Sequence, residues 1–450
     1  MYTEGETPQR TEGEASRGTT RTEFISKGMK LGLGATVLGG GMVESLIRSP
    51  SAHGAQTGTI SIMNWVADSS SGKFLRALAS EFVSTHPGTH IRLVTVPFAT
   101  YLAAQTTRCR AKTLPDVTIQ STGTAHAPIF PCLVKVTKKS AGKRFTTLNG
   151  WVAAANGASY FGVPWGAQGG VMYGHTNSWR KAGLDPTKPP ATWTEFLAAC
   201  ESLKKAGTAP LGISGLDSFI PWWCWIGMMP QLLPTAAGIQ AFRAGTIKIN
   251  DPAVSLPLKY LADTYDAGYW QPNFQEQRYT DVQAAFVQGN IGIVPGLFAG
   301  AVSWNVWDTA GMGPRDYFVF PYPRLPEAKV PKTAVFSAPS NILSISKNSK
   351  KKALAQEFID FMTSQRGQQI SLVTSGVFPN RTDVQVSSAG SRGATALGKI
   401  LAAGYPINDV AGSYFKPAVK STLFQKTTSA IVSHQLPPLL DQLTELQAQP

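Results

Sequence analysis

Residues 159–213 read SYFGVPWGAQGGVMYGHTNSWRKAGLDPTKPPATWTEFLAACESLKKAGTAPLGI, and their second half is a helix with both ends marked. Thr192 suits the N-cap, and Glu195 three residues on completes a capping box. Trp193, Phe196, Leu197, Cys200 and Leu203 recur at helical spacing and define one buried face. Lys204 and Lys205 fall in the last turn, where cations suit the helix dipole, and Gly207 is the left-handed stop. Ahead of this helix, residues 160–165 form a short apolar strand that runs into a glycine-rich bend and a segment bearing Tyr, Asn and Trp.

Outward from that stretch, strands and helices alternate. Residues 59–65 read as a strand, 74–83 as an amphipathic helix and 90–96 as a second strand; after another helix, residues 114–120 give a third. Further helices are expected over residues 251–269, 348–364 and beyond 436. Such alternation argues for a parallel α/β sheet. With 450 residues, 43% of them hydrophobic, the chain is long enough for two domains with sizeable cores. No internal repeat or long low-complexity linker interrupts residues 58–450.

The ordered elements Gly162-Val163-Pro164-Trp165, Tyr173, Asn177, Ala182-Gly183-Leu184-Asp185-Pro186, Pro190 to Phe196 and Lys204 to Gly207 resemble the mid-chain signature of extracellular solute-binding proteins of ABC importers. The resemblance is to the sugar-binding, maltose-binding-protein-like group and covers nearly the whole chain after residue 57. It implies a two-lobed α/β periplasmic-binding-protein fold of type II, with three crossings between the lobes and a ligand cleft. The crossings are expected near Asn156-Gly157, over residues 317–326, and at Gly376 to Arg381 (GVFPNR). The expected division is residues 1–55 as export signal, 56–157 plus 322–375 as one lobe, and 158–321 plus 376–450 as the other. The implied function is non-enzymatic: a monomer without cofactor captures a mono- or oligosaccharide and delivers it to ABC permease subunits.

The resemblance also carries ligand contacts onto this chain. After the first strand come Trp65, Asp68 and Ser69. A strand's carboxyl end delivers such a turn to the crevice of an α/β sheet; the serines either cap the next helix or meet ligand oxygens. Gln120 and Ser121 follow the third strand, and their amide and hydroxyl groups suit sugar hydroxyls. Asp116 reads as a strand-entry turn. Trp165 ends the G-x-P-W element. Asp217, Trp222 and Trp223 match a polar group and aromatic platforms. Trp222, Trp223 and Trp225 cannot all face inward from one helix, so one or two should reach a cleft or surface; the alternative is an aromatic-rich core helix. Gly296 and Phe298, Ser337, Arg381 at the third crossing (hinge or ligand), and Tyr414 with Phe415 complete the set.

The net charge is +14, and residues 1–55 add none of it. No basic-aromatic module of a recognised type accompanies this charge, which argues against nucleic acid and for either a general surface charge or attraction to an anionic wall or membrane. Lys350, Lys351 and Lys352 oppose a helix dipole and read as a solvated face. Arg17, Arg21, Lys27 and Lys30 precede the apolar residues 31–43, a run too short to span a membrane, and small residues end near position 55. This is the pattern of an export signal, twin-arginine-like or general secretory, leading to the periplasm or cell-surface side. Without cleavage it would be an anchor.

Cys109, Cys132, Cys200 and Cys224 have no zinc spacing, and either pair as bridges or remain buried thiols. The rivals are a secreted carbohydrate-active enzyme and a receptor for a non-sugar solute. The former needs two carboxylates across the cleft, and only isolated ones, Asp68 and Asp217, stand at the candidate turns. His86 and His90 flank a Pro-Gly turn and read as surface residues, so no metal site is expected.

Overall fold

The structure, a computed structural model, describes residues 35–38, 42–48, 58–65, 72–120, 123–136, 161–216, 219–297, 306–307, 310–312, 316–332, 335–339, 342–379, 381, 383–386, 392–403, 407–408 and 415–449. Among the described residues, thirteen strands form two sheets. The first has the order β1-β2-β4-β3-β5-β12-β6, built from Ala35–Leu38, Met42–Arg48, Thr89–Thr95, Gly58–Asn64, Val117–Gln120, Ile342–Ile345 and Val163–Pro164 respectively. Its parallel heart pairs Ile62 with Leu93 on β4 and with Val117 on β5. The second has the order β13-β11-β7-β9-β8, from Ile407–Asn408, Val335–Pro339, Ala167–His175, Ile291–Leu297 and Ala209–Leu211, with β10 (Tyr317–Phe320) also on β7.

Six helices position the parts that matter for function: α1 (Lys73–Thr85), α2 (Phe98–Arg110), α3 (Trp193–Lys205), α4 (Phe219–Met228), α5 (Pro417–Val432) and α6 (Leu436–Ala448). Strand alternation sends Ile62 to one face, with Phe74, Leu78 and Phe82 of α1, and Met63 to the other, with Tyr101 of α2. Each fully buried large side chain in such a layer stabilises by about 1.5–3 kcal/mol. A separate core, containing Trp179, Trp193, Trp225, Trp307 and Phe415, fills the second sheet's half. Two sheets with separate cores make two lobes.

The α3 punctuation forms as the sequence implies. The Thr192 hydroxyl accepts from the Glu195 amide at 3.3 Å, and the Glu195 carboxylate accepts from the Thr192 and Ala191 amides at 3.1 and 2.8 Å. Trp193, Phe196, Cys200 and Leu203 are buried, Leu197 is half-buried, and Gly207 has φ +75°. The glycine-rich bend expected before it is instead the nine-residue strand β7. Glycine is needed there because a Cβ on Gly174 would run into the ring of Phe318 on the neighbouring β10.

Sheet membership also moves the crossings. Asn156 and Gly157 lie outside the described residues, but β6 still belongs to the first sheet and β7 to the second, so the chain passes over between Pro164 and Ala167. The aromatic-proline run at 317–326 is not a crossing. Tyr317–Phe320 pairs with β7, and Tyr322 and Leu325 sit in the second core. Its prolines follow the strand rather than interrupting it. The return falls between β11, paired with β7, and β12, paired with β5. The third passage lies between Val377 of the first core and Val384 of the second. Within the stretch read as an export signal, β1 and β2 form an antiparallel hairpin, and β2 pairs antiparallel with β4.

Cys109 and Cys132 form a disulfide, whereas Cys200 and Cys224 are buried free thiols. The Asp116 carboxylate accepts from the Ser61 amide (2.9 Å), the Ser61 hydroxyl (2.7 Å) and the Ser349 hydroxyl (2.6 Å), a structural clamp at the start of β5.

Candidate functional site

The first-lobe wall of the site is built where β3 and β5 end. Met63 lies beside Thr118 in register, so the two carboxyl ends emerge together and carry Trp65 and Gln120. Helix α2 covers them. The Tyr101 hydroxyl lies 2.8 Å from the Met63 carbonyl and 2.9 Å from that of Ile119, bracing both strands, and burial pushes its phenol up. Trp65 packs edge-on against the Tyr101 ring at 4.7 Å.

One turn further along α2, Gln105 Nε2 donates to the Thr118 hydroxyl (2.5 Å) and the Ile119 carbonyl (3.1 Å). Those acceptors fix the amide so that its oxygen faces His126 Nδ1 at 2.6 Å. Nδ1 therefore carries the ring proton, leaving Nε2 as a lone-pair acceptor. Burial, at 5% exposure, holds His126 at about 3, and the nearby Lys420 charge acts in the same direction. The Cys109–Cys132 bridge ties the end of α2 to the 3-10 segment Gly123–Cys132 that bears this histidine.

The second-lobe wall is α4. Trp225 is fully buried, its indole N–H donating to the Val254 carbonyl at 2.5 Å. Trp223 is 8% exposed and packs edge-on against Tyr279 at 4.9 Å. Trp222 alone of the three is half-buried. It rests on Phe415 (5.6 Å) and Phe424 (6.0 Å), with Lys420 Nζ 5.7 Å from its ring centroid. Lys420 is half-buried in the first turn of α5, which packs against the 3-10 segment carrying His126. Burial lowers the Lys420 ammonium to about 8. An aromatic face and a cation from one lobe thus meet an imidazole acceptor from the other.

The remaining residues singled out by sequence divide. Gln120 is 2% exposed, its amide donating to the Ser344 hydroxyl across β5 and β12. Trp165 is buried at the first passage against Phe74 (4.8 Å), and its indole N–H has no hydrogen-bond partner among the described residues. Arg381 makes a two-pronged contact with Asp383 at 2.8 and 2.6 Å, while its amide donates to Gln368. This braces the third passage. Gly296 is buried on β9 opposite Val171, and Ser337 stands on β11 opposite Gly169. Phe415 is fully buried among Trp222, Trp225 and Phe242, so it supports the platform from beneath instead of offering a face. Trp223 likewise takes a packing place. Asp68, Ser69, Ser121, Asp217, Phe298 and Tyr414 lie outside the described residues.

Sequence reading passed over Tyr101, Gln105, His126 and Lys420. Only Lys420 carried a local signal, a cation in a first helical turn, where the dipole disfavours it. A pocket of about 530 Å³ lined by His175, Ser178, Thr208, Gln288 and Asp316 lies elsewhere, beside the end of β7 and the starts of β8, β9 and β10. That is the end of the second sheet away from the passages, so it is not the space between the lobes.

Among the described residues, two lobes of α/β construction are joined by three passages and meet at polar and aromatic walls. The chain belongs to the family described as bacterial extracellular solute-binding protein, whose model matches residues 67–369. It is 29% identical over 215 residues (44% of this chain, 47% of the relative) to the sn-glycerol-3-phosphate-binding periplasmic protein UgpB of Pectobacterium atrosepticum. It is 22% identical over 314 residues (66% and 69%) to the multiple sugar-binding protein of Streptococcus mutans. Of the curated glycerol phosphate relatives' lengths, the chain spans between 13% and 47%. A solved chitin oligosaccharide binding protein shares the fold with a TM-score of 0.72, at 20% identity over 87% of this chain and 98% of that one. Among the described residues no helix is long and apolar enough to cross a membrane.

Proposed function

We propose that this chain captures a mono- or oligosaccharide between its lobes and hands it, unchanged, to the permease subunits of an ABC importer. The observation that carries the reading is that Lys420, beside the half-buried Trp222 ring of one lobe, comes close to His126 in the wall of the other. An aromatic face offers apolar area to the C–H side of a pyranose at little ordering cost, and an imidazole lone pair accepts from a sugar hydroxyl. The segments bearing Asp68, Ser69, Ser121, Asp217, Phe298 and Tyr414 follow or precede these walls in the chain and complete the ligand set. The names of a sugar-binding relative and of a chitin-oligosaccharide-binding neighbour support a carbohydrate guest.

In this reading the protein acts as a monomer and needs no cofactor. Export places the protein on the outer side of the cytoplasmic membrane; the signal is read in residues 1–55, of which Met42–Arg48 also pairs with β4 in the first sheet. Closure is driven by the ligand's higher affinity for the closed arrangement. Thermal unfolding of the full chain against a sugar panel tests the proposal. A ligand at one hundred times its Kd adds about 2.7 kcal/mol to the folded state. Labelled oligosaccharide should be recovered intact in stoichiometric amount, whereas release of multiple products would favour the enzyme reading.

A further inference from the structure

Lys420 is the outlying group in this site. Its ammonium stands over the Trp222 ring, in the first turn of a sixteen-residue helix that has no acidic residue in that turn and no side-chain N-cap. The helix's own N-terminal field disfavours a cation there. No carboxylate forms an ion pair with Lys420 among the described residues, where the ion pairs lie elsewhere. Across the lobe junction stands His126, whose ring proton is committed to Gln105. The cation therefore has an aromatic face and a neighbouring lone pair, but no counter-charge among the described residues. Taking a charge out of water without a partner is costly, and opposite charge brought to it offsets that cost. The lowered ammonium, at about 8, reports the same desolvation.

Resting on the sugar-binding reading above, the geometry points to a ligand that bears an oxyanion, a uronate carboxylate or a phosphate ester, paired with Lys420 while its ring or polyol portion lies on Trp222. Lys420 gives a charge-assisted hydrogen bond to the oxyanion. His126 Nε2 accepts from a hydroxyl of the same guest, so the ligand bridges both lobes at one place. The chain's net charge of +14 adds long-range attraction for an anionic solute.

Calorimetric titration of the full chain at pH 7 with matched pairs tests this: glucose against glucuronate and glucose 6-phosphate, and glycerol against glycerol 3-phosphate. The anionic member of at least one pair should bind about tenfold or more tighter than its neutral partner, which is about 1.4 kcal/mol. Lys420→Met should bring that ratio close to one, and Lys420→Arg should restore most of it. A merely structural lysine would change affinities without changing the ratio. Preference for the carboxylate over the phosphate, or the reverse, identifies the source of the oxyanion. Neutral sugars binding as tightly as their anionic partners, or a preference that survives Lys420→Met, overturns the inference and leaves sugar capture standing. No binding by any member of these pairs or of the sugar panel above, charged or neutral, overturns both.

Discussion

Replacing Lys420 by Met should make the unliganded protein more stable. The methionine keeps most of the apolar stem over Trp222 and removes an ammonium that no carboxylate among the described residues offsets. The fall from the ordinary 10.5 to about 8 corresponds to about 3 kcal/mol. Lys420 is only half-buried, so screening by solvent reduces this to roughly 1–2 kcal/mol. The sign follows from linkage. With the folded value below the unfolded one, the unfolded chain binds more protons between about pH 8 and 10.5, and stability rises with pH through that window. The penalty is complete below pH 8 and gone above 10.5. Urea unfolding of both proteins at neutral pH should show a gain of about 1–2 kcal/mol for the variant, and the gap should close as pH is raised through 8 to 10.5. A variant that is less stable by the same amount at every pH would refute the reasoning, since the ammonium would then cost nothing and its packing would be what counts.

Three further outcomes follow from the same geometry. Trp222→Ala should weaken ligand binding while keeping cooperative unfolding, whereas Trp223→Ala should cost about 3–5 kcal/mol of stability because that ring is enclosed against Tyr279; calorimetry and urea titration separate the two effects. Reducing the Cys109–Cys132 bridge should cost about 3 kcal/mol for a loop of this length, and without reductant, thiol titration should detect Cys200 and Cys224 only after unfolding. His126, neutral in the fold with a value near 3 against an ordinary 6.5, contributes stability that is lost as pH falls from about 6.5 towards 3; His126→Gln should flatten that limb of the stability curve.

Local chemistry was legible in the sequence, and long-range geometry was not. The Thr192–Glu195 box and the Gly207 stop depend on residues a few places apart, so their spacing announced the helix. The identity of β7 hangs on a ring 144 positions away, since Gly174 makes room for Phe318; read locally, its glycines suggest a bend. The run 317–326, with Pro321, Pro323 and Pro326, is expected from the sequence as a crossing, yet it forms β10 and the prolines just after it and remains in the second lobe. The helical spacing of Trp222, Trp223 and Trp225 did imply different faces, but only packing chose Trp222 as the less buried ring. The Gln105–His126 pair and its approach to Lys420 join three segments that no local pattern links. The cysteine pairing was equally closed to inspection, because what decides it is the 5.8 Å Cα separation of Cys109 and Cys132.

The central claim is that two separately cored lobes close on a guest. Small-angle X-ray scattering of the purified chain, with and without a saccharide that raises its unfolding midpoint, measures this most directly. The account predicts a smaller radius of gyration at saturating ligand, with the transition tracking the binding isotherm. A radius unchanged by a ligand shown to bind would contradict it.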